Sequence, residues 1–236
     1  MSANKEETIH SPPVSQPKSP KQNSHMRKLP VNVISGPTII MDMGWSCYMN
    51  DHLMKKVVSQ LSMAYSFNKS SSNSLPIAFT SMNDEWRALF KRVNGDNWNK
   101  DMVKFYDEPV YEKYSTKDLV YLTADTENVC TKLDPNKCYI IGCILDHNSK
   151  KGVTRDFAIK HGIRMERLPI NEYIKMDGRH VLTINHVAEI LIRLCNNGSN
   201  WGKALVETIP PRKNPQIIKK EEDKPEEVKS SWCGIQ

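Results

Sequence analysis

The 236-residue sequence predicts an α/β fold built on a largely parallel sheet. Three observations carry that reading. Short apolar runs alternate with stretches of helical period, several runs end on a polar or acidic residue, and no internal repeat interrupts the order. Alternating strand and helix through one region is the pattern of a parallel sheet covered by helices.

Thr38-Ile-Ile-Met-Asp42 reads as the first strand. Asn50–Tyr65 follows as a helix, with Leu53, Val57, Leu61 and Ala64 at helical spacing. Pro76–Thr80 is the next strand, and Asn83 or Asp84 caps a helix carrying Trp86, Leu89, Phe90 and Val93. Leu119–Thr123 is a strand, followed by an expected helix over Glu127–Leu133 with Thr126 as its cap. Tyr139–Leu145 is a strand, Thr154–His161 a helix, Arg164–Leu168 a strand. Val181–Leu194 and Gly202–Glu207 close the series as helices. Residues 1–36 are polar and rich in Ser and Pro, with too little apolar surface to offset the entropy of ordering. They are expected to be disordered, as is the charged stretch 214–236, which leaves one domain over 37–213.

Composition narrows the function classes. Lys and Arg total 33 against 27 Asp and Glu, a net charge of +6 that permits a polyanionic partner without requiring one. No apolar run approaches the roughly 18–20 residues that span a bilayer, so no membrane role is expected. Met1–Lys28 lacks the apolar stretch of a secretory signal. The six cysteines form no Cys-x-x-Cys pair, which argues against a metal site and for reduced thiols in a cytoplasmic or nuclear protein. No Gly-x-Gly-x-x-Gly, Walker-type loop or Gly-x-Ser-x-Gly elbow is present, and only 10 glycines are available to build one.

The most informative stretch is Cys138–Gly152. A strongly apolar strand turns abruptly into Asp146, His147, Asn148, Lys150, Lys151 and Gly152. Open α/β sheets bind ligands beyond the carboxyl ends of their strands, so an acid, an amide and two cations there suggest a site. A solvated loop with an Asp helix cap is the plain alternative. Asp42 ends the first strand at the same edge, either positioning a bound base or capping the next segment.

Six stretches together resemble one family. They are Leu122-Thr-Ala-Asp-Thr-Glu-Asn128; Tyr139-Ile-Ile-Gly142; Leu145-Asp-His-Asn148 with Lys151-Gly152; Arg167-Leu-Pro-Ile170 with Tyr173-Ile-Lys-Met176; Arg179-His-Val-Leu-Thr-Ile-Asn185; and Ile209-Pro-Pro-Arg-Lys213. In order and spacing they resemble the tRNA (guanine-9-N1)-methyltransferases, the tRNA methyltransferase 10 group of the SPOUT superfamily. The resemblance runs from about Pro37 to Lys213. It implies a SPOUT-type fold with a deep C-terminal trefoil knot, a monomer, S-adenosylmethionine as cofactor and tRNA as partner. It also implies methyl transfer to N1 of guanine 9, with adenine 9, or RNA binding with weak or lost catalysis, as alternatives.

By family position the cofactor loops are Leu122-Thr123; Gly142-Cys143 with His147, Asn148 and Lys151; Leu168-Pro169; and Val181-Leu182-Thr183. Neutral guanine carries a proton on N1, so attack needs a base, and the resemblance puts Asp146 in that role. A purely orienting or electrostatic role for Asp146 is the alternative. Asp42, Lys150 and Arg155 are the substrate-side candidates, the two cations for RNA phosphate. Two departures stand out. Cys143 replaces a usual second glycine, where a side chain either crowds the cofactor or faces away. The N-terminal segment and the Asn68–Ser72 loop carry fewer cations than is common, pointing to weaker RNA binding or a truncated or alternative form. The terminal Cys233-Gly-Ile-Gln236 formally matches a prenylation box, but without a polybasic run it is expected to go unused.

Overall fold

The computed structural model describes residues 33–95, 97–145, 150, 152–178 and 180–218. In chain order the elements are β1 (Val33–Ile34), β2 (Thr38–Asp42), a 3-10 turn (Ser46–Tyr48), α1 (Asp51–Ser70), β3 (Asn73–Ser74), β4 (Ile77–Thr80), α2 (Asp84–Asn94) and β5 (Val103–Phe105). There follow α3 (Val110–Lys113), β6 (Leu119–Leu122), β7 (Cys138–Gly142), α4 (Val153–Lys160), β8 (Arg164–Glu166), α5 (Ile170–Tyr173), β9 (Ile174–Lys175), α6 (Ile184–Asn196), α7 (Trp201–Thr208) and β10 (Gln216–Ile217).

Six strands form the main sheet in the order β5-β4-β2-β7-β6-β8, every neighbouring pair parallel. Central β2 shows why its sequence is apolar throughout. Ile39 and Met41 enter the larger core with α1, α2, α6 and α7, while Ile40 enters a smaller core with Val110 of α3 and Ala158 of α4. A strand covered on both faces has no polar side to alternate.

Helix starts follow side-chain capping. Asn50 accepts from the Leu53 amide at 3.0 Å and Asn83 from the Trp86 amide at 2.9 Å, each satisfying an amide with no intrahelical partner. The turn from α1 to β4 is fixed by Asn68, buried, whose amide donates to the Leu75 carbonyl (2.7 Å) and accepts from the Leu75 amide (2.9 Å).

Several elements differ from the sequence reading. Glu127–Leu133 is not a helix. Its backbone runs extended beside the end of β8, with the Cys130 amide donating to the Arg167 carbonyl (2.9 Å) and the Arg167 amide to the Asn128 carbonyl (2.8 Å). Thr126 accepts from the Asn128 amide two residues on, a local turn instead of a helix cap. β8 ends at Glu166 instead of Leu168, where its ladder with β6 stops at Leu122. Helix α6 starts at Ile184, not Val181, because Gln60 of α1 captures the Ile184 amide at 3.0 Å. β1 pairs with β3 in parallel and β10 with β9 antiparallel, so strands lie on both sides of the 37–213 span. No helix among the described residues is long and apolar enough to cross a membrane.

Candidate active site at the carboxyl edge

β2 and β7 are neighbours that send the chain opposite ways. From β2 the chain passes through α1 to β4 on one side, and from β7 through α4 to β8 on the other. Such a switch point opens a crevice outside the strand ends, where open α/β sheets hold ligands.

Asp42 forms the floor of that crevice. It is fully buried. One carboxylate oxygen accepts from the Trp45 indole (3.1 Å) and the Tyr121 hydroxyl (3.0 Å). The other accepts from the Gly44 amide (3.1 Å) and, at the long limit of 3.5 Å, from the Ser81 hydroxyl. Burial is the dominant influence and raises the Asp42 carboxyl above its ordinary value, while the four donors act in the opposite direction. Tyr121 is raised well above its usual range, first by burial and then by the carboxylate beside it, so it stays a donor.

Tyr121 lies on β6, two strands away from Asp42, a separation of roughly 10 Å. Its hydroxyl reaches across β7 at Gly142. A Cβ at that position would stand 2.8 Å from the Tyr121 oxygen and 3.1 Å from Thr154 Cγ2. Glycine is therefore required there by Tyr121 and Thr154. Gly142→Ala is expected to destabilise the protein by about 1–3 kcal/mol, the usual cost of forcing extra volume into a packed site. Urea unfolding of the variant beside the wild type checks this, and an unchanged midpoint would refute the account.

Around this floor the loops are tied together. The Thr123 and Thr154 hydroxyls meet at 3.3 Å, and the Gly152 amide donates to Asp125 at 3.2 Å. Gly152 opens α4 with φ +77°, a left-handed conformation that favours glycine. The turn after β2 holds residues on either side of the Asp146 stretch: the Leu145 amide donates to the Met49 sulfur (3.3 Å), and Lys150 Nζ lies 5.3 Å from the centre of the Tyr48 ring.

Comparison with known proteins decides the family. The family model for tRNA (guanine(9)-N(1))-methyltransferase TRM10/TRM10A matches residues 2–214. The chain belongs to this family. The tRNA (guanine(9)-N1)-methyltransferase of Debaryomyces hansenii is 36% identical over 182 residues, covering 74% of this chain and 51% of that protein. The Candida glabrata enzyme of the same name is 36% identical over 194 residues, covering 80% and 67%. The crystal structure of full-length spTrm10 in complex with SAH superposes with a TM-score of 0.68 at 30% identity, covering 75% of this chain and 97% of that one. The chain thus spans about half the length of the Debaryomyces relative.

The candidate residues fall into four groups. Asp42, Leu122, Thr123, Gly142 and Cys143 gather at the carboxyl edge of β2, β6 and β7. Leu168 and buried Pro169 follow β8 at the same edge, whereas Val181, Leu182 and Thr183 precede α6, anchored to α1 through Gln60. Thr183 does not cap α6 with its side chain. Its hydroxyl donates to Asn185 at 2.7 Å. Lys150 and Arg155 are exposed, and Arg155 is engaged with Asp156 at 3.0 Å. Asp146, His147, Asn148 and Lys151 lie outside the described residues.

Cys143 answers the question its sequence raised. Its side chain is fully buried in the larger core, and burial pushes the thiol well above its usual range. Sequence reasoning missed Tyr121, Trp45, Ser81, Asp125 and Thr154 as members of this edge. A usable signal existed for Tyr121, since a tyrosine inside the apolar run Leu119–Leu122 needs a partner for its hydroxyl when buried.

Proposed function

We propose that this chain transfers a methyl group from S-adenosylmethionine to N1 of guanine at position 9 of tRNA. The family match over residues 2–214 is the observation that carries the reading. The spTrm10–SAH complex supports the choice of cofactor.

The residues present fit such a group. Leu122, Leu168 and Leu182 are half-buried, each packed against the larger core with part of its surface accessible. Apolar surface of this kind suits a purine ring and a thioether chain, and the cofactor has no phosphate that would demand a glycine-rich cradle. When bound it supplies an activated methyl on sulfur. The protein has to hold the target base in line with that methyl and receive the N1 proton. We assign proton acceptance to Asp146, orientation of the base edge or the cofactor to Asn148 with His147 in support, and RNA phosphate contact to Lys150, Lys151 and Arg155. The Asp42 network is the rigid base of this strand edge. The deep trefoil knot and a monomeric state complete the proposal.

Incubation of the chain with S-adenosylmethionine and a tRNA transcript carrying guanine 9 tests it. The expected result is 1-methylguanosine by nucleoside mass spectrometry and a primer-extension stop at position 9, because the methyl blocks the Watson–Crick edge. Cofactor uptake without methylation would indicate a binding protein. Absence of both would overturn the proposal.

A further inference from the structure

Tyr48 is the only exposed Phe, Tyr or Trp among the described residues, with 40% of its surface accessible. The other large apolar side chains with comparable exposure are aliphatic or Met, and three of them, Met63, Val93 and Ile159, lie on helices α1, α2 and α4. Tyr48 instead stands at the switch point, at the end of the 3-10 turn that follows Asp42. That turn is held firmly. The Tyr48 amide donates to the Trp45 carbonyl (3.1 Å) and the Met49 amide to the Ser46 carbonyl (2.9 Å). The Trp45 indole is locked to Asp42, and Asn50 caps the next helix. Behind Tyr48 lies the Trp45 ring, its centroid 6.0 Å away and tilted 34°, itself packed edge-on against Phe157 at 5.4 Å. A cation, Lys150 Nζ, lies over the Tyr48 ring at 5.3 Å.

A rigid aromatic face beside a cation, at the edge where open α/β sheets bind ligands, has the makings of a nucleic-acid stacking platform. We infer that the Tyr48 ring stacks the purine base presented for methylation, with the Lys150 ammonium moving from the ring to that nucleotide's phosphate. Stacking a base there displaces one lysine side chain and leaves the hydrogen-bonded turn intact. This assignment rests on the proposed tRNA methylation for the identity of the base. The surface itself would accept any unstacked purine.

The test uses the full chain and a tRNA transcript with 2-aminopurine at position 9, whose fluorescence reports stacking of that base. Affinity is read by anisotropy and methylation by steady-state kinetics on the guanine-9 transcript. Tyr48→Ala and Tyr48→Leu are each expected to weaken tRNA binding roughly tenfold, the order found for loss of one base–aromatic stack. The loss should fall mainly on KM and come with a changed 2-aminopurine signal. Tyr48→Phe, which keeps the ring, should restore most of the binding. S-adenosylmethionine affinity and the melting temperature should stay near wild type in all three. Wild-type binding by Tyr48→Leu would overturn the inference. So would a parallel loss of cofactor affinity, which would mean that Tyr48 only shapes the loop. If the wild type binds the 2-aminopurine tRNA in a Tyr48-dependent way but methylates nothing, the functional proposal fails while the platform stands.

Discussion

Replacing Asp42 with alanine is expected to lower folding stability by about 3–5 kcal/mol, since three close donors lose their acceptor at about 1–3 kcal/mol each. The donors are the Gly44 amide, the Trp45 indole and the Tyr121 hydroxyl. The total falls below the sum because water can enter a polar gap of that size. For a domain of this length the drop corresponds to a melting temperature lower by roughly 10 °C. Thermal unfolding followed by circular dichroism measures it, and a loss below about 1 kcal/mol would show that the network is not structural.

Asp42→Asn separates the charge from the shape and exposes a pH dependence of definite sign. The folded protein raises the Asp42 carboxyl above its ordinary value of 3.8, so the native state holds that proton more tightly than the unfolded chain. Stability falls with pH wherever the native state binds more protons. The Asp42 contribution is therefore largest below the unfolded value and is lost as pH rises through the folded one. Relative to Asp42→Asn, the wild type should lose stability as pH climbs from about 4, then level off. Urea midpoints of both proteins across that range give the comparison, and a difference that grows in favour of the wild type would refute the burial-dominated account.

How much of this edge was legible in the sequence depends on how far apart the partners lie along the chain. The strand Thr38–Asp42 and the cap Asn83 were readable because their signals sit within a few residues of their effects. β1, β3, β9 and β10 have two residues each, too few to show a period of two. The false helix over Glu127–Leu133 had a plausible local cap, but the hydrogen bonds that hold it extended come from Arg167, nearly forty residues on. Tyr121 reaching Asp42 over Gly142 joins residues on three strands. Nothing in the local pattern of any one of them announces the other two. Cys143 is the converse case: one substitution in a motif looked chemical, and its side chain lies in the core. The Asp146 role was read from its chemistry and from the family resemblance, and reactivity decides it.

That reactivity carries the other large prediction. If Asp146 takes the N1 proton of guanine, Asp146→Asn should reduce kcat on a guanine-9 tRNA by roughly 10²–10⁴-fold, the usual contribution of a positioned general base. The remaining rate then depends on base already deprotonated by solvent, so it should climb with pH more steeply than the wild-type rate does. Adenine supplies the control, because its neutral N1 has a lone pair and no proton to lose. On an adenine-9 transcript, whatever activity the wild type shows should survive Asp146→Asn within a few-fold. A carboxylate that only orients loop amides, or that steadies the positive sulfur of the donor, would cost both substrates alike. Single-turnover rates on the two transcripts with saturating S-adenosylmethionine, measured across pH, separate these cases. An equal loss on guanine and adenine would remove the general-base assignment and leave Asp146 an electrostatic or orienting residue.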